Sequence, residues 1–191
     1  MAPGAYRRLA STHPIRVAIL TATLGLSVWM NLRSSAAQHR NPGLGYWLLL
    51  ATAILALYGV ANIWLVQLVC YRLWTHVAAH EFYGYHLAWW RSIWGVIFVP
   101  SGLALCGAIA MLWLHPRGVS SVLLWAALDL QIALYILTAA WWGPLMARLA
   151  TREQGLLLPN YRMLMSTHWL RVAIVTAFGL LLFAMLAEAR P

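Results

Sequence analysis

Residues 46–71 read YWLLLATAILALYGVANIWLVQLVCY, a run that contains no Asp, Glu, Lys or Arg. An α-helix rises about 1.5 Å per residue, so about 20 apolar residues cross the roughly 30 Å hydrocarbon core of a bilayer. This run is therefore long enough to span a membrane as a single helix. A fold that contains such a run must place it in lipid or bury it completely.

Four further apolar runs accompany it, at residues 15–32, 93–114, 119–147 and 169–187. Of the 191 residues, 63% are hydrophobic and 9% are charged, whereas soluble domains carry about 25% charged residues. This composition excludes a soluble domain, a disordered tail and a secreted disulfide scaffold. The sequence predicts an all-α, polytopic membrane protein with five transmembrane helices. Residues 1–45 would form an extra helix and loop, and residues 46–191 a four-helix bundle.

The first apolar run has a counterpart in the last one. Residues 11–19 read STHPIRVAI and residues 166–174 read STHWLRVAI, with identity at seven of nine positions. A cleaved signal peptide is not expected to repeat a membrane helix, so we expect the first run to be a retained span.

The arginines predict the orientation of the chain. With five spans, nine of the thirteen basic residues fall on the side of the N-terminus, and four fall on the other side: Arg33, Arg40, Arg117 and Arg190. The positive-inside rule then places the N-terminus in the cytoplasm and the C-terminus outside, in a multi-pass protein of the bacterial inner membrane. Because the arginines flank apolar runs, they indicate contact with lipid headgroups, and we expect no nucleic-acid partner.

A group of histidines gathers at the predicted cytoplasmic boundary. We expect residues 75–86 to continue the second helix, which would put His76 and His80 on one face at i, i+4. With Glu81, His86 and His168 they form a candidate site for a transition metal or a haem, because imidazole and carboxylate are common metal ligands. The alternative is an interfacial helix end, where His and Tyr act as ordinary membrane anchors.

Arg16 and Arg171 occupy equivalent positions of the repeat, each three residues after a histidine. They could bind an anionic group such as a lipid phosphate or a quinone-like head group, or they could simply extend towards the headgroups. The chain also contains 12 tryptophans, among them Trp89 and Trp90. These fit an aromatic belt at the membrane surface, or the wall of a groove for pigment or quinone.

Asp129 lies near the middle of the fourth predicted span. A lone carboxylate is costly in lipid, so it should face the bundle and be paired or protonated, with Tyr58 and Asn62 as candidate partners. It would serve either as a proton or ligand contact, or as a polar clasp between helices.

Residues 46–188 resemble an uncharacterised family of small four-span bacterial membrane proteins with three signatures, VQxxHYPxF, FxxYHxxHxxRI and a PLHxxL that precedes NWxRT. The corresponding stretches here are VQLVCYRLW at 66–74, FYGYHLAWWRSI at 82–93, PLMARL at 144–149 and HWLRV at 168–172. The last span is also similar to the closing helix of anthrone-oxygenase-type membrane proteins, in which a His-x-x-Arg precedes the final span.

The chain departs from that family at several histidine positions, where it has Cys70, Trp89 and Met146, while it keeps His86 and has His168 in place of Asn. The resemblance therefore implies the four-helix fold and little chemistry. We expect a non-enzymatic accessory or structural subunit that packs against partner membrane subunits, or against its own copies, and against lipid, pigment or quinone. The alternatives are a small redox enzyme with a His-ligated metal or haem, and a proton-coupled carrier that uses Asp129.

Overall fold

The computed structural model describes residues 42–149 and 159–190, and within these ranges the chain is helical, without strands. Four helices are long and apolar enough to cross a membrane: α1 (Gly43–His76), α2 (Phe82–Met111), α3 (Ser121–Leu149) and α4 (Pro159–Glu188). They correspond to the second to fifth apolar runs of the sequence. The first predicted span, residues 15–32, lies outside the described residues, so the five-span count and the orientation stay predictions.

Two helices begin well before the apolar runs that predicted them. The run at 93–114 belongs to a helix that starts at Phe82, and the run at 169–187 to one that starts at Pro159. The added turns contain aromatic and polar residues, which lower the hydropathy without breaking the helix. Such composition is typical of helix ends at the headgroup level of a membrane.

The connection between α1 and α2 does not continue the helix, as we had expected for residues 75–86. The last turn, Trp74–His76, tightens to a 3₁₀ turn, and Val77 then adopts an extended conformation with φ −81° and ψ 129°. His76 therefore belongs to the last turn of α1, whereas His80 lies beyond the end of that helix, in the connection to α2. The predicted i, i+4 relationship between them is therefore wrong.

The helices approach each other closely where residues are small. Gly107 of α2 faces Thr52 of α1, and a Cβ at position 107 would overlap Thr52 Oγ1. In the same half of the bundle a buried core joins all four helices, with Leu49, Ala108, Leu124 and Leu182 among its members. Small residues at such contacts are what holds membrane helices together, because lipid offers no hydrophobic drive for their association.

Three of the four long helices contain a π-helical turn: Val66–Cys70 in α1, Trp94–Phe98 in α2 and Thr138–Trp142 in α3. Two of these turns end just before a proline, Pro100 or Pro144. Both helices continue through their proline. A proline provides no N–H for the helix ladder, and a wider turn beside it accommodates that missing bond.

Candidate functional site

One end of the bundle, formed by the C-terminal halves of α1 and α3 and the N-terminal halves of α2 and α4, is built from aromatic rings. Trp74 is completely buried at its centre. The Trp74 ring centroid lies 4.8 Å from that of Tyr71, 4.9 Å from that of Trp89 and 5.3 Å from that of His86. Edge-to-face pairs of this kind contribute packing energy beyond the area that they bury. They make this end of the bundle a rigid framework.

His168 joins this framework from α4, with its ring centroid 4.8 Å from that of Tyr71. Its Nδ1 lies 2.7 Å from the amide oxygen Oε1 of Gln67. The Gln67 amide nitrogen donates to the Met165 carbonyl at 3.4 Å, which orients the oxygen towards the histidine. Because an amide oxygen only accepts, Nδ1 carries a proton, and in the neutral form of the ring Nε2 is then the acceptor.

Arg171 lies one turn further along α4 and turns into the bundle. Its Nη2 donates to Thr138 Oγ1 at 3.0 Å, and its Cζ lies 5.2 Å from the centroid of the Trp142 ring. Among residues 42–149 and 159–190, no carboxylate lies within ion-pair distance of this guanidinium. Within the described ranges the cation is thus held by one hydroxyl and one aromatic face, which leaves most of its donors without a partner there.

Two cavities meet at Arg171. The end cavity is lined by Trp89, Trp90, Trp142, His168 and Arg171, together with apolar side chains. The midspan groove, lined by Tyr58, Asn62 and Gln131 among mainly apolar residues, is partly open, and the space within it amounts to about 670 Å³ with the adjoining open solvent included. Ile63, Ile97, Phe98, Thr138 and Arg171 belong to both walls. The two spaces therefore adjoin, and Arg171 stands at their junction.

Several polar atoms around these spaces lack a hydrogen-bond partner within the described ranges. They are His168 Nε2, Gln131 Oε1 and Trp142 Nε1, and each is fully buried. A buried polar atom left unpaired costs about 1–3 kcal/mol, so native proteins rarely keep several together without a role. Two acceptors and one indole donor thus stay unpaired among the described residues, and the Arg171 guanidinium lines the same two spaces.

The π-helical turns are located at this site. Each turn contributes to the wall of the end cavity: the first provides Val66, the second Ile97 and Phe98, and the third Thr138 and Trp142. A π turn widens the helix locally and is frequent at functional sites, because it redirects side chains that a regular helix would place elsewhere. Three such turns around one cavity single out this end of the bundle.

The structure does not assemble the histidines that the sequence grouped as metal ligands. His76 and His80 are exposed, and His80 Nε2 lies 3.8 Å from Glu81 Oε1 at the surface. His86 and His168 are buried, but His86 contacts Trp74 and Phe82 whereas His168 contacts Tyr71. In the described part of the chain no three His, Cys, Asp or Glu side chains form a metal-binding group. A metal or haem site stays a prediction.

Some of the other predicted residues line one of the two cavities, and some do not. Trp89, Trp90 and Arg171 line one cavity, while Arg16 lies outside the described residues. Tyr58 and Asn62 line the midspan groove beside Gln131, and the half-buried Asp129 is two residues away along α3. A role for Asp129 in a carrier remains a prediction.

Sequence reasoning missed Gln67, Gln131, Thr138 and Trp142. An isolated polar residue inside an apolar run is a sequence signal for a functional position. That signal singled out Asp129, and it holds equally for the uncharged Gln67, Gln131 and Thr138. Met146 and Cys70, which stand at histidine positions of the resembled family, also pack at this end of the bundle.

No protein-family model matches the chain, and no curated protein or solved structure matches it either. The family resemblance drawn from its motifs therefore stays a prediction. What stands is that residues 42–149 and 159–190 are helical, with four helices capable of crossing a membrane and with clustered tryptophans.

Proposed function

We propose that this chain is a non-enzymatic membrane subunit that holds an amphipathic ligand, with the head group in the end cavity and the apolar tail in the midspan groove. The single observation that carries this proposal is Arg171, a guanidinium without a described carboxylate partner at the junction of the two cavities. An accepting oxygen of the ligand would complete its hydrogen bonding.

The position of Arg171 argues against a simple anchor at the membrane surface. Its guanidinium is directed at Thr138 and Trp142, inside the bundle. Charged groups that face a bundle interior often mark ligand or ion pathways, because burying them without a role is costly.

The shape of the two cavities fits a molecule with one polar end. The midspan groove is lined mainly by apolar side chains, such as Leu55, Ile97 and Phe178, which suit an acyl or prenyl tail. The polar atoms gather where it meets the end cavity. Ligand sites in proteins commonly combine an apolar wall with a few well-placed polar groups.

We place this site in the bacterial inner membrane, within a five-span protein whose N-terminus is cytoplasmic. In that orientation the end cavity opens near the cytoplasmic headgroups. Large apolar side chains such as Trp47, Leu180 and Trp113 are 64%, 66% and 70% exposed in the described chain. They support a surface that meets lipid and the helices of partner subunits or of further copies of this chain.

The test is native mass spectrometry and lipid extraction of the full chain purified in mild detergent. We compare the wild type with Arg171→Gln and with Arg162→Gln, a matched change at an exposed position of the same helix. We expect one retained amphiphile per wild-type chain, at least about tenfold less with Arg171→Gln, and no change with Arg162→Gln. An unliganded wild type, or equal retention by Arg171→Gln, contradicts the proposal.

A further inference from the structure

We infer that the head group is a phenol of the quinol class, a hydroxyaryl ring with a second oxygen and an apolar tail. This inference rests on the proposed function and specifies its ligand. Three features of the end cavity lead to it: an unpaired acceptor on His168, flat aromatic walls, and a second polar contact at Arg171.

The first feature is the fixed hydrogen-bonding role of His168. Its Nδ1 is committed to Gln67, and its fully buried Nε2 has no partner in the described chain. The complementary group is therefore an O–H or N–H donor on the ligand. A fatty-acid carboxylate would satisfy Arg171 but offers no donor, so it would leave His168 Nε2 unpaired.

The second feature is the wall of the end cavity. Trp89, Trp90, Trp142 and Tyr71 all line it. Flat rings packed in offset or edge-to-face arrangements gain energy beyond their buried area. A planar aromatic head group can pack against these rings in such arrangements, whereas a tetrahedral phosphate or a glycerol backbone cannot.

The third feature is the spacing between the two polar residues. His168 and Arg171 are three residues apart on α4 and both line the cavity. Residues at i and i+3 of a helix have Cβ atoms about 5–6 Å apart on the same side. One ring that bears two oxygens can therefore donate a hydroxyl proton to His168 while its other oxygen accepts from Arg171.

The experiment measures equilibrium binding of three short-chain probes to the full chain in nanodiscs, under anaerobic conditions and against protein-free nanodiscs. The probes are a ubiquinol, the corresponding quinone and the quinol dimethyl ether. Only the quinol can donate to His168, so we expect it to bind about tenfold tighter than the other two.

The variant His168→Asn keeps a side-chain donor for Gln67 and removes the acceptor at the position of Nε2. We expect it to reduce quinol affinity about tenfold, to that of the quinone, while His76→Asn at an exposed position changes nothing. Comparing the three probes on the wild-type chain tests the inference even where His168→Asn fails to fold.

The outcomes separate this inference from the proposed function. Equal affinity for the three probes overturns the quinol and leaves an Arg171-dependent amphiphile standing. If a phospholipid is extracted and its retention depends on Arg171, the quinol is likewise overturned and the proposed function stands. If neither quinol nor any other amphiphile depends on Arg171, both the inference and the proposed function fall.

Discussion

The imidazole of His168 and the amide of Gln67 share a hydrogen bond of 2.7 Å that joins α4 to α1 across 101 positions of sequence. Both side chains are at most 2% exposed. The bond ties two helices together and also decides which nitrogen of the histidine carries the proton. A structural contact thereby sets the chemistry of the proposed ligand site.

Replacing Gln67 with Leu should destabilise the bundle, because it leaves the donor of His168 buried and unpaired. We expect a loss of about 1–3 kcal/mol, measured by unfolding in increasing fractions of SDS followed by circular dichroism. The control is Asn62→Leu, since the Asn62 amide donates only to the Tyr58 carbonyl on its own helix among the described contacts. Equal effects of the two changes would refute the role assigned to Gln67.

Truncating Trp74 to Ala should remove the centre of the aromatic framework and leave a cavity. Trp74 is 0% exposed and contacts four rings, so we expect a cost of about 3–5 kcal/mol in the same unfolding measurement. Trp113→Ala, at a position 70% exposed, should change stability little. Comparable losses of stability from the two substitutions would show that the aromatic framework makes no specific contribution to the free energy of unfolding.

Gly107→Ala should separate α1 from α2, because the new methyl group would overlap Thr52 Oγ1. We expect a destabilisation of about 1–3 kcal/mol. Gly84→Ala on the same helix meets nothing within 4 Å and should be neutral or slightly stabilising. The assignment of Gly107 to a close helix contact fails if the two substitutions behave alike.

Reporter fusions to Met1 and Pro191 should report opposite faces of the membrane, as five spans require. A fluorescent protein that matures only in the cytoplasm should be bright at Met1 and dark at Pro191, and a periplasmic phosphatase should give the reverse pattern. The positive-inside distribution of arginine is the physical reason. Detection of both termini on one side would rule out the five-span topology.

The sequence predicted the second to fifth helices because apolar runs of spanning length carry a strong signal. It did not predict which residues of those helices meet. Lipid-facing and core-facing side chains are both apolar, so periodicity does not distinguish the buried Leu164 from the exposed Leu170. Trp89, Trp90 and Arg171 were anticipated individually, whereas the partnership of His168 with Gln67 depends on tertiary contact. The grouping of His76 with His80 was wrong because backbone geometry at Val77 ends the helix.

The π-helical turns have a consequence for how this chain tolerates change in length. A π turn uses about one residue more than an α turn, so loss of one position from Thr138–Trp142 would regularise that segment and leave Gly143–Leu149 facing the same way. Met146 would keep its place at the end cavity although the chain had become shorter. Single-codon deletions should thus be tolerated better in the three widened turns than in the regular parts of the same helices, where each would rotate the following residues by about 100°.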